Sequence, residues 1–292
     1  MGSTPTSSLS LSALFGVEKR VVLVTGGGSG LGSYAAVALA LHGAQVYIVG
    51  RRKDKLDGFP AAATGKVVAL QGDVASKDGI SAIRAAFEKH EAHLDLLVNA
   101  AGIMKAMKAS SVGKNDGLAQ VQALWDEPWD VFQDTHNVNL TAVFYVAVAF
   151  APLLARAAPA SHTEQGPQIV NVTSIAAFHL ARPASVHYQT SKDAAEKLTK
   201  ILAGRLQPLG IRVNAISPGI YPSEMTETAT AADFARPDHP LRATVERNPI
   251  KRSGTPEDFA GLIVFLASRA GAYFDGTSLT TDGGRLLNIS AA

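Results

Sequence analysis

The stretch from Arg20 to Gly43 constrains this chain most. Arg20-Val21-Val22-Leu23-Val24 is short, apolar and rich in β-branched residues, the pattern of a strand buried on both faces. It runs directly into Thr25-Gly26-Gly27-Gly28-Ser29-Gly30-Leu31-Gly32, and an Ala-rich helical stretch from Ser33 to His42 follows, ended by Gly43. Strand, glycine-rich turn and helix in this order make the context a dinucleotide needs. Glycines let the backbone turn sharply and approach a pyrophosphate, and the helix N-terminus offers free N–H groups and a positive dipole end.

The pattern repeats downstream. A second strand, Gln45 to Val49, ends at Gly50-Arg51-Arg52, and a third, Val67 to Gln71, runs into Gly72-Asp73-Val74. A helix spans about Lys77 to His90, and a fourth strand, Leu94 to Val98, runs into Asn99-Ala100-Ala101-Gly102, whose small residues leave space against a flat ring. Four strands alternating with helices predict a parallel sheet with right-handed crossovers. In such a sheet the end of the second strand meets the adenosine ribose. An acid there bonds a 2′-hydroxyl, whereas an Arg accommodates a 2′-phosphate. Gly50 leaves room and Arg51 and Arg52 supply charge, so NADP(H) is expected over NAD(H).

The second half carries the reactive groups. An apolar helix runs from near Trp129 to about Leu154, expected to be buried or to form a subunit interface, and contains Asn139. A buried Asn must find partners, so a structural hydrogen bond is the default there. Strand five, Ile169 to Val172, ends at Thr173-Ser174, and a loop returns to Tyr188-Gln189-Thr190-Ser191-Lys192. On a helix Tyr188 and Lys192 lie one turn apart on one face. An ammonium so placed is expected to lower the phenol pKa below its usual value of about 10. Alone, such a pair is usually an idle surface pair; its weight here comes from the surrounding pattern. Strand six, Ile211 to Ile216, leads into Ser217-Pro218-Gly219. Residues 220–248 are expected to form a partly helical flap over substrate, and Tyr221, Met225 and Phe234 to help line it. A helix from Pro256 to Ser268, capped by Thr255, and a strand from Ser278 to Thr281 complete the chain.

Bulk properties narrow the alternatives. The 292 residues are 47% hydrophobic and 18% charged, enough for a sizeable core, and the formal charge is +2 with no basic run suited to nucleic acid or an anionic membrane. There are no cysteines, which excludes disulfides, Cys-ligated zinc and thiol catalysis and fits a reducing compartment. No apolar run is read as a membrane span, and Met1 to Ser12 lacks the apolar core of a signal peptide, so a cytoplasmic protein is expected. The glycosylation sequons at Asn139, Asn171 and Asn288 are read as chance. Residues 1–16 are expected to be a flexible tail, residues 17–292 one domain, and residues 104–128 and 157–168 irregular insertions.

Together these residues resemble the short-chain dehydrogenase/reductases over about 17–288. The resemblance rests on the glycine loop, Asp73-Val74, Asn99 to Gly102, Asn139, Ser174, the Tyr188/Lys192 pair and Pro218-Gly219. It extends to Arg252-Ser253-Gly254-Thr255-Pro256-Glu257-Asp258 and Asp282-Gly283-Gly284. It implies a single-domain, Rossmann-type, doubly wound α/β fold with a seven-stranded parallel sheet. It further implies that Tyr188 is the general acid or base, that Ser174 hydrogen-bonds the carbonyl oxygen, and that Lys192 binds the nicotinamide ribose. Asn139 would hold a water that connects Lys192 to solvent. Gly26, Gly28, Ser29, Gly30 and Leu31 would meet the phosphates, Asp73 and Val74 the adenine, and Asn99, Ala100, Ala101 and Gly102 the adenosine side. Pro218, Gly219, Tyr221 and Ser223 would meet the nicotinamide carboxamide, with no metal. Ser29 stands where many NADP-using relatives carry a basic residue, and Ser223 where the family usually has Thr. The run Pro218-Gly219-Ile220-Tyr221-Pro222-Ser223 is most similar to 3-oxoacyl reductases. The implied activity is hydride exchange between NADP(H) and a ketone or secondary alcohol, on a small-molecule substrate, in a homodimer or homotetramer. A nucleotide-binding protein without turnover would be signalled by loss of Tyr, Lys or Ser, and all three are present. Imine reduction, epimerisation and dehydration remain alternative reactions for the same site.

Overall fold

The computed structural model describes residues 6–60, 66–105, 107, 116–160, 165–180 and 185–289. In chain order its elements are α1 (Leu11–Phe15), β1 (Val21–Thr25), α2 (Gly30–Leu41), β2 (Gln45–Gly50), α3 (Lys53–Asp57) and β3 (Val67–Gln71). Next come α4 (Lys77–Phe87), β4 (Leu96–Asn99), α5 (Gly117–Trp125), α6 (Trp129–His136), α7 (Ala142–Ala160) and β5 (Gln168–Val172). The chain ends with α8 (Val186–Leu206), β6 (Arg212–Pro218), α9 (Arg242–Glu246), α10 (Pro256–Ala267), β7 (Ser278–Thr281) and α11 (Arg285–Asn288). All strand pairs are parallel, in the order β3-β2-β1-β4-β5-β6-β7, as expected.

Alternation along the strands builds two cores. On β1, Val22 and Val24 join Ala35, Leu39, Phe259 and Ile263 of α2 and α10 on one face. Val21 and Leu23 join Ile83, Phe87, Phe150, Leu154 and Leu202 of α4, α7 and α8 on the other. Burial of both faces is why these strands read as unbroken apolar runs. Strand order reverses between β1, which leads toward β2, and β4, which leads toward β5. Their carboxyl ends therefore diverge and leave a crevice.

Within the expected N-terminal tail Ser10 caps α1, its Oγ accepting from Ala13 N at 3.3 Å, and Val17 beyond it is buried, while residues 1–5 lie outside the described residues. Several expectations are corrected. The insertion near 104–128 contains α5, capped by Asp116; residues 106 and 108–115 lie outside the described residues, as do 161–164 of the second insertion. The helix from Trp129 is interrupted by a π-helical turn at Asn137–Thr141. The helical run 129–157 is long and apolar enough to cross a membrane, contrary to the reading of the sequence, but half of its most apolar window is buried against the fold. The flap contains α9 and two 3₁₀ turns, and Phe234 is buried edge-on against His239, with ring centroids 5.0 Å apart, instead of lining the cleft.

Candidate active site

The crevice between β1 and β4 opens into a cleft of about 510 Å³. Its floor begins at the glycine turn. Gly26 and Gly30 have φ of 69° and 53°, in the region that favours glycine. At Gly32 a Cβ would lie 2.3 Å from Gly26 O, so only glycine lets α2 start this close to β1. Ser29 occupies the N-cap of α2 without making a side-chain cap bond. The first N–H groups of α2 have no intrahelical partner, and Ser29, Gly30, Leu31 and Gly32 all line the cleft. A concave backbone cradle at a helix N-terminus, at a sheet switch point, fits the pyrophosphate of a dinucleotide.

At one end of the cleft stand Gly50, Arg51, Arg52, Lys55, Gly72, Asp73 and Val74. Asp73 is held by its own turn, its Oδ1 accepting from Ala75 N at 3.0 Å. Arg51 has no ion-pair partner among the described residues, whereas Arg52 and Lys55 are engaged by Glu224. Ala100, Ala101 and Gly102 line the middle. Asn99 does not. It is buried in the sheet and its Nδ2 donates to Asn171 Oδ1 at 3.0 Å, so its part is to tie β4 to β5.

At the other end α8 presents Tyr188 and Lys192 to the cleft. The Lys192 ammonium lies 5.7 Å from the Tyr188 ring centroid and donates to Val172 O at 2.9 Å, at the end of β5. The expected depression of the phenol pKa is not what this geometry produces. Burial raises Tyr188 above 10, with the Ser174 hydroxyl pulling the other way. Burial lowers Lys192 as well, to about 8, opposed by the Glu196 carboxylate. Ser174 lies two residues past the end of β5 and caps the following 3₁₀ turn, its Oγ accepting from Ala176 N at 3.1 Å.

Asn139 sits in the π-helical turn, a local widening that is frequent at functional sites. Its Oδ1 accepts from Ile103 N and its Nδ2 donates to Ile103 O, both at 2.9 Å, and to Ser191 Oγ at 3.1 Å. A Cβ added at Gly102 would lie 3.3 Å from Asn139 Oδ1 and 3.5 Å from Lys192 Nζ, so both groups flank that glycine.

The turn after β6 departs from expectation. Pro218 and Gly219 lie outside the cleft, Gly219 N donating to Thr281 O at 2.9 Å and its Cα packing against Asp282. Tyr221 lines a second cavity of about 340 Å³ and its hydroxyl pairs with Thr281 Oγ1 at 2.6 Å. Only Ser223 of that group reaches the cleft, followed by Glu224 and Met225. Sequence reasoning also missed Glu196. This buried acid stands four residues after Lys192 on the same face of α8 and accepts from Thr173, from Ser217 at 2.6 Å and from Ser278 at 3.1 Å. Its spacing from Tyr188 and Lys192 was the available signal.

Comparison with known proteins agrees with this geometry. Residues 26–285 match the family model described as Enoyl-(Acyl carrier protein) reductase. A short-chain dehydrogenase/reductase of Diaporthe leptostromiformis, PhomF′, is 37% identical over 289 residues, 98% of each chain. The rhamnolipids biosynthesis 3-oxoacyl-[acyl-carrier-protein] reductase of Pseudomonas aeruginosa is 32% identical over 272 residues, covering 92% of this chain and 97% of that one. The solved Pseudomonas aeruginosa RhlG/NADP active-site complex superposes with a TM-score of 0.79 at 30% identity, covering 93% of this chain and 98% of that one. The chain therefore belongs to the short-chain dehydrogenase/reductase family of oxidoreductases.

Proposed function

We propose that the protein is an NADP(H)-dependent reductase or dehydrogenase acting on a ketone or secondary alcohol, with Tyr188 as the proton-transferring group. The observation that carries this reading is the joining of two chemistries in one cleft. A phenol and a buried ammonium stand at one end; three cations, Arg51, Arg52 and Lys55, stand at the other, with no acid at the end of β2. The nicotinamide, when bound, supplies or accepts the hydride. In the reductive direction Tyr188 gives its proton to the carbonyl oxygen and Ser174 donates to the same oxygen to hold it. Burial that raises Tyr188 suits this part, because an acid must still hold its proton at working pH. The Lys192 cation, with a pKa of about 8, is charged at neutral pH and favours the phenolate left behind. Asn139 holds Ile103 by two backbone hydrogen bonds and takes a positioning part in proton supply.

The substrate proposed is a small-molecule carbonyl of 3-oxoacyl or secondary-metabolite type. Two features support it: similarity to the Pseudomonas 3-oxoacyl reductase, and apolar side chains, Met104, Val138 and Met225, along the cleft. We further propose a cytoplasmic homo-oligomer that engages neither nucleic acid nor membrane. The half-exposed Phe144 and Val148, one turn apart on α7, support self-association. The test is a panel of ketones followed by NADPH absorbance. Tyr188→Phe is expected to cut turnover by about 10²-fold or more while NADPH affinity stays within about twofold, because only the proton transfer is lost. Unchanged turnover overturns the assignment.

A further inference from the structure

Glu224 belongs to none of the stretches that build the nucleotide cradle, yet it lines the cleft. It opens the first 3₁₀ turn of the flap, directly after Ser223, whose Cβ lies close over Gly30 of the glycine turn. Its Oε2 meets Arg52 Nη2 at 2.6 Å and its Oε1 meets Lys55 Nζ at 3.0 Å. The same Arg52 Nη2 donates to Ser29 Oγ, at the N-cap of α2, at 3.2 Å. One acid from the flap thus occupies two of the three cations that face the adenosine and pyrophosphate end, and Arg51 alone is left without an ion pair among the described residues.

We infer that Glu224 is a built-in competitor for the nucleotide's phosphates: its carboxylate holds Arg52 and Lys55 until an incoming phosphate displaces it. The displacement is favourable in direction. A phosphate monoester carries about −1.5 to −2 charge and three strong acceptor oxygens at neutral pH. A carboxylate offers one charge and two oxygens. Glu224 is ionised when it competes, because its hydrogen bonds from Arg52 and Lys55 hold its carboxyl below the usual range. Both ion pairs are about half exposed, with side-chain exposures between 44% and 53%, so the clasp is weak enough to be opened by a ligand. Because the contested cations stand beside the expected 2′-phosphate position, Glu224 sets the cofactor preference. Every phosphate pays for its release, and the ligand with one more phosphate recovers more from the freed pair.

The preference between cofactors rests on the NADP(H) reading above; the competition itself rests on the clasp. The experiment separates the two. Binding of NADPH, NADH, ADP and 2′,5′-ADP is measured by calorimetry for the wild type, Glu224→Gln, Arg52→Gln and the double variant, with circular dichroism as a check of folding. Glu224→Gln is expected to bind NADPH and 2′,5′-ADP about three- to tenfold tighter and NADH less than about threefold tighter, with the gain shrinking as salt is raised. In the Arg52→Gln background the gain from Glu224→Gln is expected to fall, since the two side chains contest one site. Unchanged or weaker binding of every phosphate ligand by Glu224→Gln overturns the competition. A wild type that binds NADH more tightly than NADPH overturns the cofactor reading, and a Glu224→Gln gain on ADP in that case still upholds the competition.

Discussion

Lys192 shows how much a buried ammonium at the cleft costs the fold around it. Its pKa of about 8 against an ordinary 10.5 means that the unfolded chain holds the proton more tightly than the folded one. The buried ammonium therefore costs on the order of 3 kcal/mol at every pH below about 8, and that cost is relieved as pH rises from about 8 to 10.5. Lys192→Met keeps the aliphatic stem and removes the charge. It is expected to raise stability toward urea by on the order of 1–3 kcal/mol at pH 7, with the gain fading toward pH 10, while abolishing turnover. A loss of stability at pH 7 would count against a desolvated ammonium. At the other end of the cleft Arg51 is the cation without an ion pair among the described residues. Arg51→Glu is expected to weaken NADPH by about tenfold or more and NADH by less than about threefold, read by fluorescence titration. An equal loss for both cofactors would remove the 2′-phosphate from that position.

Among the elements, the β1 to α2 turn is the least tolerant of change. The close approach of Gly32 to Gly26 O is a backbone contact, and no side-chain rearrangement relieves a Cβ placed there. Gly32→Ala is expected to displace the start of α2 and weaken dinucleotide binding by more than about tenfold, measured by the same titration, because the N–H groups that meet phosphate move with the helix. Helix α8 has a double part. Its inner face carries Tyr188, Lys192 and Glu196 toward the site, and Leu202 and Leu206 toward the core. The acid ties the helix to the end of β5, to β6 and to β7 through Thr173, Ser217 and Ser278, so the sheet itself fixes the height of Tyr188 and Lys192.

At the scale of the molecule, part of the exposed apolar surface lies on the long helices α7 and α8, and the proposed assembly is tested there. Phe144 and Val148 on α7 are 39% and 45% exposed, and Ile201 on α8 is 47% exposed, on helices whose opposite faces are buried in the core. Isolated exposed apolar residues are ordinary, whereas residues one turn apart on a long helix form a stripe. Replacing Phe144 and Val148 with Glu is expected to shift the protein to a smaller species in sedimentation velocity while leaving its circular dichroism intact. An unchanged sedimentation coefficient would place the interface elsewhere.

What the amino-acid order determined by itself was the local pattern: the β-branched runs of β1, β2 and β4, the glycines that only a tight strand-to-helix turn requires, and the one-turn spacing of Tyr188 and Lys192. These follow from short-range sterics and periodicity, which the residues carry with them. Tertiary structure alone decided which long-range partners each group met. Glu224 lies 172 residues after Arg52, yet pairs with it. Asn99 turned into the sheet instead of the cleft, Tyr221 went to a second cavity, and the phenol pKa rose because burial outweighed the hydrogen bond from Ser174. Burial and charge pairing depend on distances between segments remote in sequence, and packing sets those distances.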